Sequence, residues 1–340
     1  METKAFISGC SGLELTAEER AFFADQRPWG FILFARNIDN PDQLRRLNDQ
    51  LGEVVDAESP PILIDQEGGR VQRLRAPHWY DYPPASALGD LFRMDKDKGL
   101  RATWLLSRLH AFDLLPMGFN VDCLPVLDVP SPDGHDVIGN RAYGTDPTEV
   151  AALGQAACDG LKAGGVMPVI KHIPGHGRAR GDSHLELPTV ETDRQTLERV
   201  DFRPFATLAN EPMAMTAHVV YESIDPDAPA TTSPTMINDI IRSQLGFDNL
   251  LMSDDVSMEA LSGDFAERTR AIFAAGCDIV LHCNGDMAQM QAVASASPTL
   301  SGKAAKRAEQ AMSGAGETDS TDEASARAEF ADLMAALPVA

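Results

Sequence analysis

Eight short, apolar, β-branched runs punctuate this 340-residue chain, at Ala5–Ile7, Gly30–Phe34, Pro61–Asp65, Asn120–Leu127, Val166–His172, Pro212–His218, Asn249–Asp254 and Asp278–Cys283. Continuous apolar runs suit strands buried on both faces, as in parallel sheets, whereas a half-exposed strand would alternate polar and apolar residues. Parallel strands need long crossovers, and helix-length amphipathic stretches lie between the runs. They fall at Thr16–Ala24, Pro41–Val54, Leu100–Leu115, Pro147–Ala163, Asp193–Leu208, Pro234–Leu245 and Ser257–Ala275. Eight such units is the count that closes a (β/α)8 TIM barrel, which with insertions fills most of the chain as a single α/β domain.

The boundaries carry matching signals. Asn40-Pro41, Asp146-Pro147 and Ser233-Pro234 each place a capping residue before a proline that starts a helix. Gly118, Gly164, Gly246 and Gly276 fall where helices end before the next strand, as left-handed caps require. An open dinucleotide-binding sheet needs a glycine-rich phosphate loop after an early strand. Ser8-Gly9-Cys10-Ser11-Gly12 does not supply one. The longest insertions, Glu67–Lys98 and Pro130–Asp146, follow strands, on the face where barrels place active sites. The barrel is expected over residues 1–296, and 297–340 form an acidic Ala/Glu/Ser-rich tail. SGAGETDSTD in that tail reads as a flexible link and Glu323–Leu337 as a terminal helix.

Charge narrows the partners. With 29 Lys plus Arg against 51 Asp plus Glu, the formal charge is −22, which repels phosphate backbones and anionic membranes. No nucleic-acid or membrane partner is expected, and no run of 18 apolar residues suggests a transmembrane helix. The opening stretch has no basic segment leading into an apolar core and cleavage site. Cys10, Cys123, Cys158, Cys277 and Cys283 are odd in number and scattered. They read as reduced, buried thiols, and the expected location is cytoplasmic.

Strands buried on both faces here end in charge. Their ends deliver Asp65-Gln66-Glu67 followed by Arg70 and Arg73, then Asp128, Lys171-His172, His218, Asp254-Asp255, and His282 with Asn284. Asp254 follows Leu250, Leu251, Met252 and Ser253 and precedes a helix start. If Asp255 or Ser257 caps that helix, Asp254 is left aimed into the barrel mouth, able to attack carbon, act as a base or bind metal. Three histidines (His172, His176, His184) share a thirteen-residue span rich in Gly and Pro, which implies a loop. Asp182 and His184, two apart, are spaced to hydrogen-bond if extended, an arrangement suited to general acid–base work. Arg73 and Arg141 offer planar donor forks for hydroxyls or carboxylates, or serve in structural salt bridges. Aromatic residues are only 6%, so a single sugar held by polar groups fits better than a long stacking platform.

Six segments in order carry a resemblance: IDQEGGRVQR (64–73), IGNRAYG (138–144), KHIPGHG (171–177), DSHLELP (182–188), MTAHVVY (215–221) and MSDDVSM (252–258). Together they resemble glycoside hydrolase family 3, in particular its single-domain β-N-acetylglucosaminidases (β-hexosaminidases) of the peptidoglycan-recycling type. The departures are Ile173 for phenylalanine, Ala142-Tyr143 for Ser-Phe, Val256 for leucine, and Arg178 and Arg180 in the loop. The resemblance implies that Asp254 is the nucleophile and His184, partnered by Asp182, the acid/base. It gives Asp65, Arg73, Arg141, Lys171 and His172 the terminal sugar. It also implies a cofactor-free, metal-free hydrolase acting on N-acetylglucosamine-containing cell-wall fragments (muropeptides) by retaining double displacement. Three alternatives stay open. One is a metal-dependent barrel hydrolase using His172, His176, His184 and Asp254. The second is a non-catalytic sugar-binding barrel, and the third a family 3 β-glucosidase or phosphorylase.

Overall fold

The computed structural model describes residues 2–57, 59–132, 134–179 and 187–337. Eight parallel strands close a barrel in sequence order: Lys4–Ser8, Pro28–Leu33, Ile62–Ile64, Val121–Asp122, Met167–Ile173, Met213–Thr216, Leu250–Asp255 and Ile279–His282. Ser8 of the first strand pairs with both Phe31 of the second and His282 of the eighth, and this pairing closes the ring.

Alternate residues of each strand face opposite sides. Ile7, Ile32, Leu63, Val121, Val169, Met213, Leu250, Met252 and Ile279 fill the barrel interior. Their neighbours Phe6, Phe31, Ile62, Ile170, Ala214, Leu251 and Val280 pack outward against the helices. Both faces are dry, which is why the strands are apolar throughout.

Caps act as their residue types dictate. Asn40 accepts from the Gln43 N–H at 3.0 Å, and Asp146 accepts from the Thr148 N–H at 2.7 Å. Ser233 Oγ accepts from the Met236 N–H at 3.0 Å, ahead of a helix over Thr235–Gln244. Gly118, Gly246 and Gly276 take positive φ, but in the fourth expected cap it is Gly165, at φ +73°, and not Gly164 that does so.

Several boundaries differ from expectation. The fourth strand ladders only over Val121–Asp122, because Pro125 has no N–H to continue it; Val126 rejoins by a single bridge to Lys171. The helix expected over Asp193–Leu208 is two, Arg194–Arg199 and Arg203–Thr207. Pro204 cannot lie inside a continuous helix. The helix expected from Ser257 starts at Phe265, where Asp264 closes a capping box with Glu267. The insertion after the third strand contains a hairpin, Gln66–Gly68 with Val71–Gln72, and a helix, Ala85–Met94.

In the tail, helix Gly302–Ala311 buries Ala308 and Ala311 with Trp29 and Met167 at the barrel's N-terminal end. Ser313–Asp322 is anchored, not loose. The Gly316 N–H donates to Gly165 O and the Asp319 N–H to Ala163 O, each at 2.8 Å, and Asp319 pairs with Arg108 at 3.1 Å. The last helix, Glu323–Met334, adds Ala326 and Phe330 to the outer core. All five cysteines are buried free thiols. Among the described residues, no helix is long and apolar enough to cross a membrane.

Candidate active site

The strand ends converge on a cavity of about 210 Å³ lined by Phe34, Asp65, Arg73, Arg141, Lys171, His172, Met215, Asp254, Met258 and Cys283, among others. Drug-sized ligands occupy pockets of about 300–1,000 Å³, so this space is scaled to one ring. A larger cleft of about 700 Å³ lies at the other end of the barrel, by Asn48, Glu53 and Gly118. Among the described residues no cation lines it, and barrels do not place chemistry on that face.

Charges in the cavity are cross-linked. Lys171 Nζ lies 2.8 Å from Asp65 Oδ1 and 2.7 Å from Glu67 Oε1. Arg73 Nη2 donates to Asp65 Oδ2 at 3.0 Å. Arg141 grips Glu67 with two bonds of 2.8 Å, from Nε and Nη2. Burial alone would raise both carboxyls. Lys171 and Arg73 instead hold Asp65 well below the usual range, and Arg141 and Lys171 hold Glu67 down to about 2. Burial likewise opposes the Lys171 charge, but Asp65 and Glu67 outweigh it and raise its pKa. Asp65, Glu67, Arg141 and Lys171 therefore stay ionised at neutral pH, and none is left as an uncompensated buried charge.

The two aspartates at the end of the seventh strand divide their work. Asp255 accepts from the Ser257 N–H at 3.0 Å, from Ser257 Oγ at 2.5 Å and from the Cys283 N–H at 3.2 Å, so its carboxylate is committed to the turn. Asp254 lines the cavity, and its Oδ1 accepts from the Asp255 N–H at 2.8 Å.

His172 is fixed from behind. Its Nδ1 lies 2.7 Å from Asp128 Oδ2, and Asp128 Oδ1 accepts from the His176 N–H at 2.6 Å and the His172 N–H at 3.2 Å. Burial would raise Asp128, yet the His172 charge and hydrogen bond bring it down to about 2. The imidazole is thus locked in one orientation with Nδ1 engaged. His176 is buried beside it, and desolvation pushes its pKa down to about 4.

Six of the eight site residues expected from sequence (Asp65, Arg73, Arg141, Lys171, His172, Asp254) line this one cavity. The other two, Asp182 and His184, lie outside the described residues. Glu67, Asp128 and Phe34 were not assigned roles from sequence. Glu67 and Asp128 were visible as strand-end acids; Phe34, which has the Arg36 and Arg73 guanidinium groups over its ring at 5.0 and 5.3 Å, gave no signal. Among the described residues, no group of three or more His, Cys, Asp or Glu is arranged to hold a metal ion.

A ring-sized cavity at a barrel mouth, lined by Asp254 together with Asp65, Arg73, Arg141 and Lys171, fits a hydrolase of the (β/α)8 class. The Glycosyl hydrolase family 3 N terminal domain matches residues 7–312, and the chain belongs to that family. It is 40% identical over 284 residues to a beta-hexosaminidase of Alkalilimnicola ehrlichii, spanning 82% of this chain and 80% of the relative. A beta-hexosaminidase of Chromobacterium violaceum is 37% identical over 333 residues, 96% of this chain and 91% of that one. The crystal structure of native NagZ from Neisseria gonorrhoeae superposes with a TM-score of 0.85 at 32% identity, covering 98% and 97% of the two chains. A second structure of that protein, in complex with N-trifluoroacetyl-D-glucosamine, matches with a TM-score of 0.84 at 31% identity, covering 98% of this chain and 97% of that one.

Proposed function

We propose that this chain is a retaining β-N-acetylglucosaminidase that removes terminal N-acetylglucosamine from peptidoglycan fragments in the cytoplasm. One observation carries the reading: Asp254, oriented by the Asp255 N–H, shares a one-ring cavity with the Asp65, Lys171 and Arg73 network. The names of the relatives supply the hexosamine, and the neighbour complexed with an N-acyl glucosamine is in accord with it.

In this mechanism the sugar hydroxyls are bound by Asp65, Arg73, Lys171 and His172, and Arg141 sits against the same ring. Asp254 attacks the anomeric carbon through an oxocarbenium-like transition state, and the bond to the leaving oxygen breaks. His184, oriented by Asp182, gives that oxygen a proton. It then takes a proton from water as water attacks the glycosyl ester, and Asp254 is released as a carboxylate. A histidine suits both halves because its ordinary pKa is near 6.5.

The deciding experiment compares an aryl N-acetyl-β-glucosaminide with an aryl β-glucoside, with and without chelator, for wild type and Asp254→Ala. Chelator-insensitive preference for the first substrate, its loss in the variant, and a fluorinated sugar label on Asp254 are expected. Full activity of Asp254→Ala would overturn the assignment. Chelator-sensitive turnover would favour the metal-dependent alternative, and sugar 1-phosphate formed in phosphate buffer would identify a phosphorylase.

A further inference from the structure

His218 follows the sixth strand and is fully buried behind the Asp254–Asp255 turn. Its Nε2 lies 3.0 Å from the Asp255 carbonyl oxygen and its Nδ1 2.7 Å from Thr231 Oγ1. Thr231 Oγ1 in turn lies 2.8 Å from Thr216 Oγ1 and 3.0 Å from Ala217 O.

These contacts place a hydrogen on Nε2, and burial disfavours a second one on Nδ1. A carbonyl oxygen only accepts, so Nε2 must carry a proton. In a neutral ring Nδ1 is then a lone pair, and the one Thr231 hydroxyl hydrogen is shared between Nδ1 at 2.7 Å and Ala217 O at 3.0 Å, while Thr216 donates to Thr231. Every nitrogen and both hydroxyls are paired in this state. Asp254, Asp255 and His172 are the charged or titratable groups whose fields reach the ring. Burial outweighs the pull of the two carboxylates and keeps the imidazole below its ordinary pKa.

Asp255 links this ring to the nucleophile. Its N–H donates to Asp254 Oδ1 at 2.8 Å, and its carbonyl is the group that His218 holds. We propose that His218, as the neutral Nε2–H tautomer, is a positioning residue for Asp254: it pins Asp255, whose N–H aims the attacking carboxylate. The proposal rests on Asp254 being the nucleophile. No sugar contact is asked of His218, so its effect falls on the chemical step and not on substrate binding. Misplacing a reacting group by about 1 Å costs on the order of 100-fold in rate.

The test uses the full chain as wild type, His218→Leu, His218→Gln and Thr231→Val. His218→Leu is expected to lower kcat on an aryl N-acetyl-β-glucosaminide about 100-fold with KM within twofold. Labelling of Asp254 by a fluorinated sugar should slow in parallel. His218→Gln, whose amide nitrogen reaches where Nε2 stood, should recover about tenfold of that loss. Thr231→Val should fall between wild type and His218→Leu. Nitrogen-15 NMR of the histidines, with the His218 signal assigned through His218→Gln, should show a neutral Nε2–H ring at pH 7 in wild type. An imidazolium or Nδ1–H ring, equal damage in the Gln and Leu variants, or a loss confined to KM would overturn the proposal. A wild-type chain inert on the glycoside but carrying the Nε2–H ring would instead refute the proposed activity, since the NMR signal needs no turnover.

Discussion

Glu67 and Arg141 face each other through two parallel hydrogen bonds of 2.8 Å, and Lys171 closes on the same carboxylate at 2.7 Å. A bidentate fork fixes the guanidinium plane as well as its position. Glu67 thus orders two cavity cations without lying on the cavity wall itself. Glu67→Gln keeps the shape but removes the charge. It is expected to raise KM for an aryl N-acetyl-β-glucosaminide about tenfold, equivalent to about 1.4 kcal/mol. It should also lower stability by about 2–3 kcal/mol, because buried cations lose their partner. Steady-state kinetics and denaturant titration check the two effects, and an unchanged KM would show that Arg141 and Lys171 need no outside support.

Acid sensitivity should follow from His176. Unfolded, an imidazole titrates near 6.5; in the fold, burial holds this one down to about 4. Between those values the unfolded chain binds a proton that the native chain does not. The contribution of His176 to stability therefore rises with pH across that window and is lost on acidification, by up to about 1.4 kcal/mol per pH unit. His110, held down to about 3 by burial, acts in the same sense, and Asp201, raised to about 6 by burial, acts against it. Asp122, 3.8 Å from His110 Nδ1, is raised by the same burial and retains a proton that the unfolded chain releases. The carboxylates of Glu67 and Asp128 act lower, their stabilisation disappearing as pH falls from about 4 through about 2. In urea titrations from pH 7 to 4, the slope of stability against pH should be smaller in His176→Gln than in wild type by about one proton.

The barrel was legible because its strands are buried on both faces: Leu250, Leu251 and Met252 read as one apolar run, and the structure points them alternately in and out. Asp254 was legible for the same reason, as charge ending such a run. What could not be read depends on pairings distant in sequence. The spacing of Glu67 from Arg141, or of Asp128 from His172, does not reveal that strand ends bring them together. Helix ends misled where local chemistry competed, as at Pro204, and where Asp255 used its carboxylate on Ser257 and Cys283, so that the helix starts only at Phe265.

The tail holds the barrel through Arg327. Its guanidinium donates to Tyr82 Oη at 2.9 Å and to Asp113 Oδ1 at 2.8 Å, and lies 4.2 Å from the Tyr80 ring. Tyr82 donates to Asp113 Oδ2 at 2.6 Å, and its N–H reaches Gln72 of the hairpin that precedes Arg73. Arg327→Ala should cost about 2 kcal/mol, since a partly buried carboxylate loses its partner, seen as a lower Tm. Arg327→Lys keeps the charge without the fork and should recover part of that loss. An unaltered Tm in the alanine variant would mean that Ala326, Phe330 and the Arg101–Glu329 pair hold the terminal helix without it.

Leaving-group dependence separates the proposed acid from every other role in the loop. If His184 protonates the departing oxygen, its removal matters most when that oxygen is a poor leaving group. His184→Ala is therefore expected to slow hydrolysis of an alkyl or disaccharide N-acetyl-β-glucosaminide about 100-fold or more, within the usual range for one acid–base group. On an aryl substrate whose phenol leaves without a proton, glycosylation should be nearly normal and the deficit should move to water attack. An added anionic nucleophile such as azide, which needs no base, should then restore turnover and yield a β-glycosyl azide. If Asp182 partners His184 as proposed, Asp182→Asn should show the same pattern at smaller amplitude, because it would keep the imidazole but remove a charge that supports its protonated form. Equal loss on both substrate types, with no rescue by azide, would give His184 a binding role and place the acid elsewhere.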